Sequence, residues 1–336
     1  MYRFLIIQTA FIGDVVLATA VAEKLHANYQ DAKIDFLVRK GNEGLLKNHP
    51  FINDLLIWDK ARQKNRNLLR LAFRIRKSRY THVINLHRFG TSGFLTWASG
   101  ARYKTGFDKN PFSFCYSQKA EHTISEPYSD NPFHETERNQ QLIASITDNV
   151  SARPRLYPSN EDYQQITPLQ SDPYICLAPS SVWFTKQFPV QKWIELLAIL
   201  PATYKVYLLG GASDQQMAET IIQGSGRHNV TSLCGGLSFL QSAALMQGAA
   251  MNYVNDSAPL HFASSVNAPV TAVYCSTVPA FGFGPLSDNS KIVEIQERLY
   301  CRPCGLHGYK SCPEGHFRCA LDIRKEQLLW WNSKQT

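Results

Sequence analysis

The sequence MNYVNDSAPLHFASSVNAPVTAVYCS, at positions 251–276, contains a complete β-turn-α-β unit. It begins with an apolar run of strand length, and the Asn-Asp-Ser turn at 255–257 consists of residue types that begin helices. Positions 258–266 can form a short helix, and a proline followed by β-branched residues predicts the second strand. Such a helix directs unpaired N–H groups and its positive dipole end toward the carboxyl ends of the strands. The stretch therefore predicts an α/β fold with an anion-binding turn, although Asp256 and Ser257 would also be ordinary helix caps.

Apolar runs of strand length alternate with helical patterns twice along the chain. Strands of the first series are expected at 2–7, 33–38, 54–58 and 83–86. Those of the second series are expected at 174–178, 205–210, near 230, at 251–254 and at 270–274. Prolines at 154, 158, 168 and 173 are typical of a linker between the two series. The alternation implies two domains, each with a parallel sheet covered on both faces.

Two segments of the first series have less regular patterns. Residues 106–132 are rich in Pro, Ser, Asn and aromatic residues with little periodicity, which indicates irregular surface. Residues 134–149 are expected to form a helix.

The composition is that of an ordinary soluble globular protein, with 44% apolar and 18% charged residues among 336. The formal charge of +8 favours anionic partners, which include nucleic acid, anionic lipid and phosphorylated small molecules. The apolar segment after Arg3 is similar to a secretory signal, but Gln8 and Asp14 interrupt it. No run approaches the roughly 18 apolar residues needed to span a bilayer. We therefore expect a cytoplasmic protein with at most peripheral membrane contact.

Residues 60–79 are strongly basic, since nine of these twenty residues are Lys or Arg. Apolar residues between them predict a helix with one face toward the core. A solvated helix exterior and a surface for lipid head groups or an anionic acceptor are both consistent with this pattern. Arg70 and Arg74 are our candidates for acceptor contacts, together with His87 and Arg88 in the loop after the fourth strand.

Polar turns follow the first strand of each series, where ligands bind in open α/β sheets. Asp14 opens the first helix, and a residue at a helix cap can also point toward a ligand. Ser180, Ser181 and Lys186 follow the first strand of the second series. Two hydroxyls and a lysine at that place suit phosphate binding, although a solvated loop is an equal alternative.

A third turn, with Gly211 and Ser213, has a glycine that permits close approach of backbone to a ligand. No turn carries the GxGxxG fingerprint or a Walker A sequence, which argues against an NAD enzyme and a P-loop ATPase. The chain also lacks an Asp-x-Asp pair for a metal–nucleotide complex.

Four of the eight cysteines form a late cluster with a CxxC start, and two histidines lie among them. The spacing leaves three interpretations open: buried or redox-sensitive thiols, a structural zinc site, and an iron–sulfur site, which is the least favoured. The cysteines are Cys301, Cys304, Cys312 and Cys319.

Several motifs occur together in a fixed order: Phe-Ile-Gly-Asp at 11–14, Thr-Lys at 185–186 followed by Pro189 and Trp193, Asn-Asp-Ser at 255–257 with His261, and the late cysteines. The set resembles glycosyltransferase family 9, the ADP-heptose:lipopolysaccharide heptosyltransferases, over essentially the whole chain. The asparagine at 255 is more similar to the heptosyltransferase II branch.

The resemblance implies a GT-B architecture of two Rossmann-like β/α/β domains that face each other across a cleft. An acceptor-binding domain would occupy residues 1–160 and a nucleotide-sugar domain residues 161–318. Residues 319–336 would form a C-terminal helix, centred on 324–331, that crosses back to the first domain.

The resemblance also implies roles for individual residues. Asp14 matches the catalytic base, Lys186 the residue that meets the donor phosphates and sugar, and Asp256 the residue that binds the sugar. The turn at Ser257 would bind the diphosphate. The remaining expected donor contacts are Ser180, Ser181, Gly211, Ser213, Ala258 and His261.

Two positions depart from the family pattern. Ala258 stands where the family usually has glycine, which adds a methyl group where backbone approaches phosphate. The acidic residue expected to hold the ribose has no clear match, since Ser213, Asp214 or Gln215 could stand there.

These features predict an inverting glycosyltransferase that moves heptose from ADP-heptose to the inner core of lipopolysaccharide, with no cofactor and no catalytic metal. The expected partners are a nucleotide sugar, a lipid-linked oligosaccharide and the inner-membrane surface, without nucleic acid. The expected location is the cytoplasmic face of the inner membrane. The alternatives are a GT-B enzyme that uses another nucleotide sugar, and a non-catalytic basic protein that binds nucleic acid or membrane.

Overall fold

Six parallel strands form the sheet of the first structural unit, in the order β3-β2-β1-β4-β5-β6. The strands are β1 (Arg3–Ile7), β2 (Lys33–Arg39), β3 (Ile52–Trp58), β4 (His82–Asn85), β5 (Tyr103–Phe107) and β6 (Gln118–Ala120). The helices are α1 (Ile12–Asn28), α2 (Lys64–Lys77), α3 (Gly90–Ala98) and α4 (Glu135–Gln141). This strand order is the doubly wound Rossmann order, with its switch point between β1 and β4.

The second unit repeats that topology, with the order β12-β11-β10-β7-β8-β9. Its strands are β7 (Tyr174–Ala178), β8 (Lys205–Leu208), β9 (Val230–Ser232), β10 (Met251–Asn255), β11 (Val270–Tyr274) and β12 (Ser290–Glu294). Its helices are α5 (Asn160–Ile166), α6 (Val190–Ile199), α7 (Gln215–Ser225), α8 (Phe239–Gly248), α9 (Ala258–Ser265) and α10 (Arg318–Leu321). Here the switch point lies between β7 and β10. The predicted α/β class, with two parallel sheets, is confirmed.

The structure is a computed structural model that describes residues 1–61 and 63–329. One compact unit comprises Met1–Ile124 and Phe133–Tyr157, and the other comprises Ser125–Pro132 and the chain from Pro158. Within the described ranges, no helix is both long and apolar enough to cross a membrane.

The central strands are mostly apolar because helices cover both faces of each sheet. Every residue of β7, β10 and β11 is buried. The second core also includes Cys319, Ala320 and Leu328, so the chain up to residue 328 packs on this unit.

Several sequence-based boundaries were wrong. The expected helix at 134–149 ends at Gln141 and is followed by a 3-10 turn at Ala144–Ile146. The Gln140 side chain donates to Thr147 Oγ1 at 3.0 Å, which holds the chain back against the helix end. The expected helix at 324–331 is only a 3-10 turn at Lys325–Leu328 in the described residues, and its end lies outside them. The segment 106–132 contains the short edge strand β6, and the proline-rich linker contains α5.

Candidate active site

The expected site residues of the second unit follow the two strands at its switch point. Asp256 and Ser257 come directly after β10, while Ser180, Ser181 and Lys186 follow β7, which pairs with β10. Parallel pairing brings the carboxyl ends of these two strands to the same edge of the sheet. The topology therefore joins residues that are about 70 positions apart in sequence.

A compact ion pair lies at this edge. The Lys186 Nζ atom is 2.6 Å from Oδ2 of Asp256, and the two side chains are only 15% and 8% exposed. The Thr277 hydroxyl donates to the same carboxylate oxygen at 2.6 Å. An ammonium group carries three donors, so Lys186 can keep this ion pair and still donate to a ligand. The pair therefore holds a positive charge at a fixed place beside the start of α9.

Asn255 connects the two turns. Its Nδ2 donates to the Pro179 carbonyl at 2.7 Å, and its Oδ1 accepts from the Phe188 amide at 3.0 Å. One fully buried side chain thus ties both ends of the segment that carries Lys186 to the end of β10. Breaking these bonds would leave buried polar groups unsatisfied, which is costly.

The segment with the late cysteines packs against the Lys186 turn. The buried Thr185 hydroxyl accepts from the Tyr309 amide at 2.7 Å and from Ser276 Oγ at 3.0 Å. Gly308, with φ of +78°, lies so close that a Cβ there would be 2.8 Å from Thr185 Oγ1 and 3.1 Å from Lys186 Cγ. Only glycine fits both this conformation and this approach.

The Arg302 side chain fixes the same segment to the chain after β11 and to β12. Its guanidinium donates to the carbonyls of Cys275 and Thr277 and to Glu294, and the side chain is buried. Because Thr277 also contacts Asp256, the segment 300–309 supports the ion pair from two sides.

The Asp214 carboxylate closes the glycine turn that follows β8. Asp214 Oδ2 accepts from the Gly211 amide at 2.8 Å and from Ser180 Oγ at 3.0 Å. Ser180 thus connects this turn to the end of β7, while Ser213 lies in the 3-10 turn Ala212–Asp214. Ser181 contributes its carbonyl to Gln187. The geometry gives Asp214 a turn-closing role and does not identify a ribose contact.

The start of α9 has few backbone donors. Ser257 is the N-cap residue and Pro259, which has no N–H, occupies the first turn. The amides at Ser257 and Ala258 are the donors that remain for an anion, because the Leu260 amide donates to the Ser257 carbonyl at 3.0 Å. His261 is buried one turn later, edge-on to Phe283. Its role as a donor contact stays a prediction.

In the first unit, Asp14 lies in the first turn of α1, directly after β1. Its Oδ2 accepts from the Phe11 amide at 3.1 Å, so it caps the helix while remaining partly exposed. The two roles expected for it, cap and ligand-facing acid, are compatible in this geometry.

His87 follows β4, the neighbour of β1 at the switch point. Its Nδ1 lies 3.3 Å from Thr9 Oγ1, and Lys60 Nζ donates to the Thr9 carbonyl at 2.8 Å. Burial, with Lys60 and Arg88 nearby, lowers the pKa of His87 to about 4. Burial also lowers the pKa of Lys60. His87 is therefore neutral at pH 7, within a positively charged neighbourhood.

A buried charged cluster lies behind these residues. Arg138 Nε donates to Glu135 Oε2 at 2.9 Å, and His122 Nε2 is 4.0 Å from the same oxygen. Burial raises the pKa of Glu135, opposed by Arg138 and reinforced by Asp14. Burial, with Arg88 and Arg138, lowers the pKa of His122 to about 4. Asp14 and Arg88 therefore share one electrostatic environment.

Arg70 and Arg74 do not join this group. The helix α2 starts after the carboxyl end of β3 and runs back along the sheet, and Arg74 pairs with Asp54 near the start of β3 at 2.6 Å. Their expected role as acceptor contacts stays a prediction.

All four late cysteines line one cavity of about 300 Å³ with Tyr309 and His316. Each is a free thiol, and burial raises the pKa of Cys319 to about 12. Across residues 1–61 and 63–329, no group of three or more His, Cys, Asp or Glu side chains is arranged to hold a metal ion. Burial also raises the pKa of Cys304, which favours the protonated thiol. Zinc binding by these cysteines stays a prediction.

Comparison with known proteins identifies the family of the chain. The sequence profile of glycosyltransferase family 9 (heptosyltransferase) matches residues 68–309, which include the Lys186 and Asp256 turns. The chain belongs to glycosyltransferase family 9. Lipopolysaccharide heptosyltransferase 3 of Escherichia coli K12 is 28% identical over 294 residues, 82% of this chain and 83% of that protein. Lipopolysaccharide heptosyltransferase 2 of the same strain is 21% identical, with 97% and 96% covered.

Solved structures of the family share the fold. The chain superposes on E. coli ADP-heptose lipopolysaccharide heptosyltransferase II with a TM-score of 0.77 at 20% identity, covering 97% of this chain and 96% of that one. For E. coli heptosyltransferase WaaC with ADP, the TM-score is 0.72 at 20% identity, with 86% and 92% covered. The predicted GT-B fold of two Rossmann-like domains and the predicted enzyme class, a glycosyltransferase, are thus confirmed.

The structure adds residues to the candidate site that sequence patterns did not reveal. Thr277, Gly308 and Arg302 support the Lys186–Asp256 pair from distant positions, and Lys60 lies beside His87. A glycine or threonine alone has no sequence signature for this role. Lys60 belonged to the basic segment, where a count of charges could not single it out.

Proposed function

We propose that this family 9 enzyme transfers heptose from ADP-heptose to the inner core of lipopolysaccharide, with inversion at the anomeric carbon and without a catalytic metal. The buried Lys186–Asp256 pair at the switch point of the second sheet carries the proposal. It is supported by the related heptosyltransferases and by a relative of the same fold whose structure contains ADP.

The second unit would bind the donor. The diphosphate would lie at the start of α9, where the amides of Ser257 and Ala258 and the helix dipole favour negative charge. Lys186 would donate to the leaving phosphate and stabilise charge as the glycosidic bond breaks. Asp256 would fix that ammonium group and accept from a sugar hydroxyl, while Thr277 holds the carboxylate in place.

The first unit would activate the acceptor. Asp14 would take the proton of the acceptor hydroxyl as its oxygen attacks the anomeric carbon from the side opposite ADP. One C–O bond forms and one breaks, the proton goes to Asp14, and the bonding electrons leave with ADP. Lys60 and Arg88 would attract an anionic acceptor, since both are basic and lie around His87. The lipid-linked acceptor places this reaction at the cytoplasmic face of the inner membrane.

The test is a turnover assay with ADP-heptose beside ADP-glucose and UDP-glucose, each with a heptose-deficient core acceptor, analysed by mass spectrometry. We expect transfer from ADP-heptose alone, unchanged after exhaustive EDTA treatment. Loss of activity that magnesium or manganese restores would contradict the metal-free chemistry. Preference for another nucleotide sugar would keep the enzyme class and reject the donor.

A further inference from the structure

The outer side of α2 carries two large apolar residues within a basic surface. Leu71, Ala72 and Ile75 of this helix are buried in the first core. Leu69 and Phe73, one helical turn apart, point the opposite way and are 62% and 74% exposed. A helix that only faced water would gain nothing from leaving this much apolar surface exposed.

The charges around these two residues are of one sign. The exposed basic residues of α2 are Lys64, Arg66, Arg70, Arg74, Arg76 and Lys77, and α2 contains no acidic residue. Arg74 is committed to Asp54, and Arg76 covers Gly100, where a Cβ would be 2.0 Å from its guanidinium. Of the other four, Lys64 is the first residue of the helix, and Arg66, Arg70 and Lys77 lie within about one helical turn of Leu69 or Phe73. Like charges this close repel one another unless an anionic partner neutralises them.

A second exposed apolar patch, of aromatic rings, lies on the neighbouring helix α3 and in the segment between β5 and β6. α2 packs against α3, and both cover the same face of the first sheet. Four rings form a chain with centroids 5.9 to 6.5 Å apart, namely Phe94, Trp97, Phe112 and Phe114. The outer members Trp97 and Phe114 are 52% and 72% exposed. Tryptophan beside basic side chains is typical of the membrane–water interface.

We infer that the outer side of α2 and this aromatic patch together dock the enzyme on an anionic phospholipid bilayer. The basic residues meet lipid phosphates, while Leu69, Phe73, Trp97 and Phe114 enter the interfacial layer. The positive charge of this surface favours an anionic partner. The four exposed apolar side chains favour a bilayer over nucleic acid, because a nucleic-acid backbone offers charge but no apolar layer.

The surface also borders the proposed acceptor site. α3 begins directly after Phe89, whose ring is 62% exposed and 4.6 Å from the His87 ring. Docking would bring the loop that carries His87 and Arg88 close to the bilayer that holds a lipid-linked acceptor. The inference does not depend on the donor chemistry proposed above.

Vesicle co-sedimentation of the full chain tests the inference. We expect binding to vesicles of phosphatidylglycerol and phosphatidylcholine in equal parts, and little binding to phosphatidylcholine alone. Replacing Arg66, Arg70 and Lys77 with Gln should weaken binding roughly 100-fold, from the typical contribution of one basic residue near an anionic leaflet. Leu69→Ser with Phe73→Ser should weaken it roughly tenfold or more, and that loss should persist at high salt.

Matched variants separate this surface from bulk charge. Lys33, Lys47 and Lys119 are exposed in the same unit, and their replacement by Gln removes the same charge elsewhere. This control should bind vesicles like the wild type. The Leu69→Ser, Phe73→Ser variant should also keep its melting temperature and its ADP affinity, since both residues are on the surface. A short single-stranded oligonucleotide is the competing ligand.

Three outcomes would overturn the inference. Wild-type protein that does not sediment with anionic vesicles is the first. Equal weakening by the two triple Gln variants would show that only net charge matters. Oligonucleotide binding that needs the three α2 residues, without vesicle binding, would assign the surface to nucleic acid.

Discussion

The two sheets have the same topology, but their switch points are built in different ways. At the second, neutral and paired groups interlock: Asn255 joins two turns, Asp256 holds Lys186, and Gly308 fits against Thr185. At the first, charged and titratable groups surround a partly exposed acid, Asp14. One fold therefore supports a rigid site and an electrostatically tuned site.

This difference matches the two halves of the proposed reaction. A nucleotide diphosphate is the same in every catalytic cycle, so fixed donors placed in advance lose little entropy when it binds. Proton removal instead depends on the environment of a carboxylate, which nearby charges and burial set. Variants at each switch point should consequently give different signatures.

The largest expected effect is at Asp14. Asp14→Asn keeps the size of the side chain and can still cap α1, so folding should change little. It cannot accept the acceptor proton, so kcat should fall by about 10²–10⁴-fold. Steady-state rates together with ADP calorimetry check this, and ADP affinity should be unchanged. Normal turnover would place the base elsewhere.

Lys186→Ala is the reciprocal variant for that test. It should weaken ADP binding and slow turnover together, because the same ammonium group meets the ground-state and the leaving phosphate. If Lys186→Ala bound ADP like the wild type, the donor site in the second unit would be wrongly placed.

A smaller effect should separate two glycines of one loop. Gly308 and Gly305 have φ of +78° and +63°, so alanine costs about 1–2 kcal/mol of backbone strain at each. Only at position 308 does the new methyl group collide with Thr185 and Lys186, whereas at 305 the nearest atom is 3.5 Å away. We expect Gly308→Ala to lower ADP affinity roughly tenfold, from the loss of about one charge-assisted hydrogen bond.

Gly305→Ala is the matched control, measured by the same calorimetry and by thermal melting. It should lower the melting temperature through backbone strain alone, and so by less than Gly308→Ala, and it should leave ADP affinity unchanged. Equal ADP affinity in the two variants would remove segment 300–309 from the support of the donor site.

The buried strands and the main turns could be predicted from the sequence, but the edge strands of the two sheets and the helix α3 could not. β10 and β11 are buried along their whole length and mostly apolar because both faces are covered. The edge strands β6 and β12 have only three and five residues and are mostly half-buried, so they lack that signal. α3 was missed because its glycines weaken helical propensity. At Gly93 a Cβ would be 2.1 Å from Asn110 Oδ1, a tertiary reason for glycine.

The same distinction applies to the site. Asp14, Lys186 and Asp256 follow strand ends, and their family motifs make them visible in the sequence. The roles of Thr277 and Gly308 come from contacts with residues that are 21 and at least 122 positions away in the sequence. No local sequence pattern encodes such contacts. The environment of His87 was equally hidden, since Lys60 reaches it through Thr9.

The last expected effect is on stability and not on catalysis, and it should appear only in mild acid and in the first unit. His87 and His122 have pKa values lowered to about 4 in the folded protein, against about 6.5 in an unfolded chain. Between these values the unfolded state binds protons that the folded state does not. The stability contributed by neutral histidine is therefore complete above pH about 6.5 and is lost as the pH falls toward about 4.

Hydrogen exchange between pH 7.5 and 4.5, read separately for the two sheets, measures this dependence. For each histidine the slope should be at most about 1.4 kcal/mol per pH unit, and less where solvent screens the ring. His122→Phe can still pack against Phe107, which now meets the His122 ring edge-on at 4.7 Å, and it should flatten the slope of the first sheet. His228→Gln, at an exposed position of the second unit, should change neither sheet. A first sheet as acid-resistant as the second would mean that the histidines at its switch point are not held neutral by burial, and the contrast between the two sites would then rest on Asp14 and Lys60 alone.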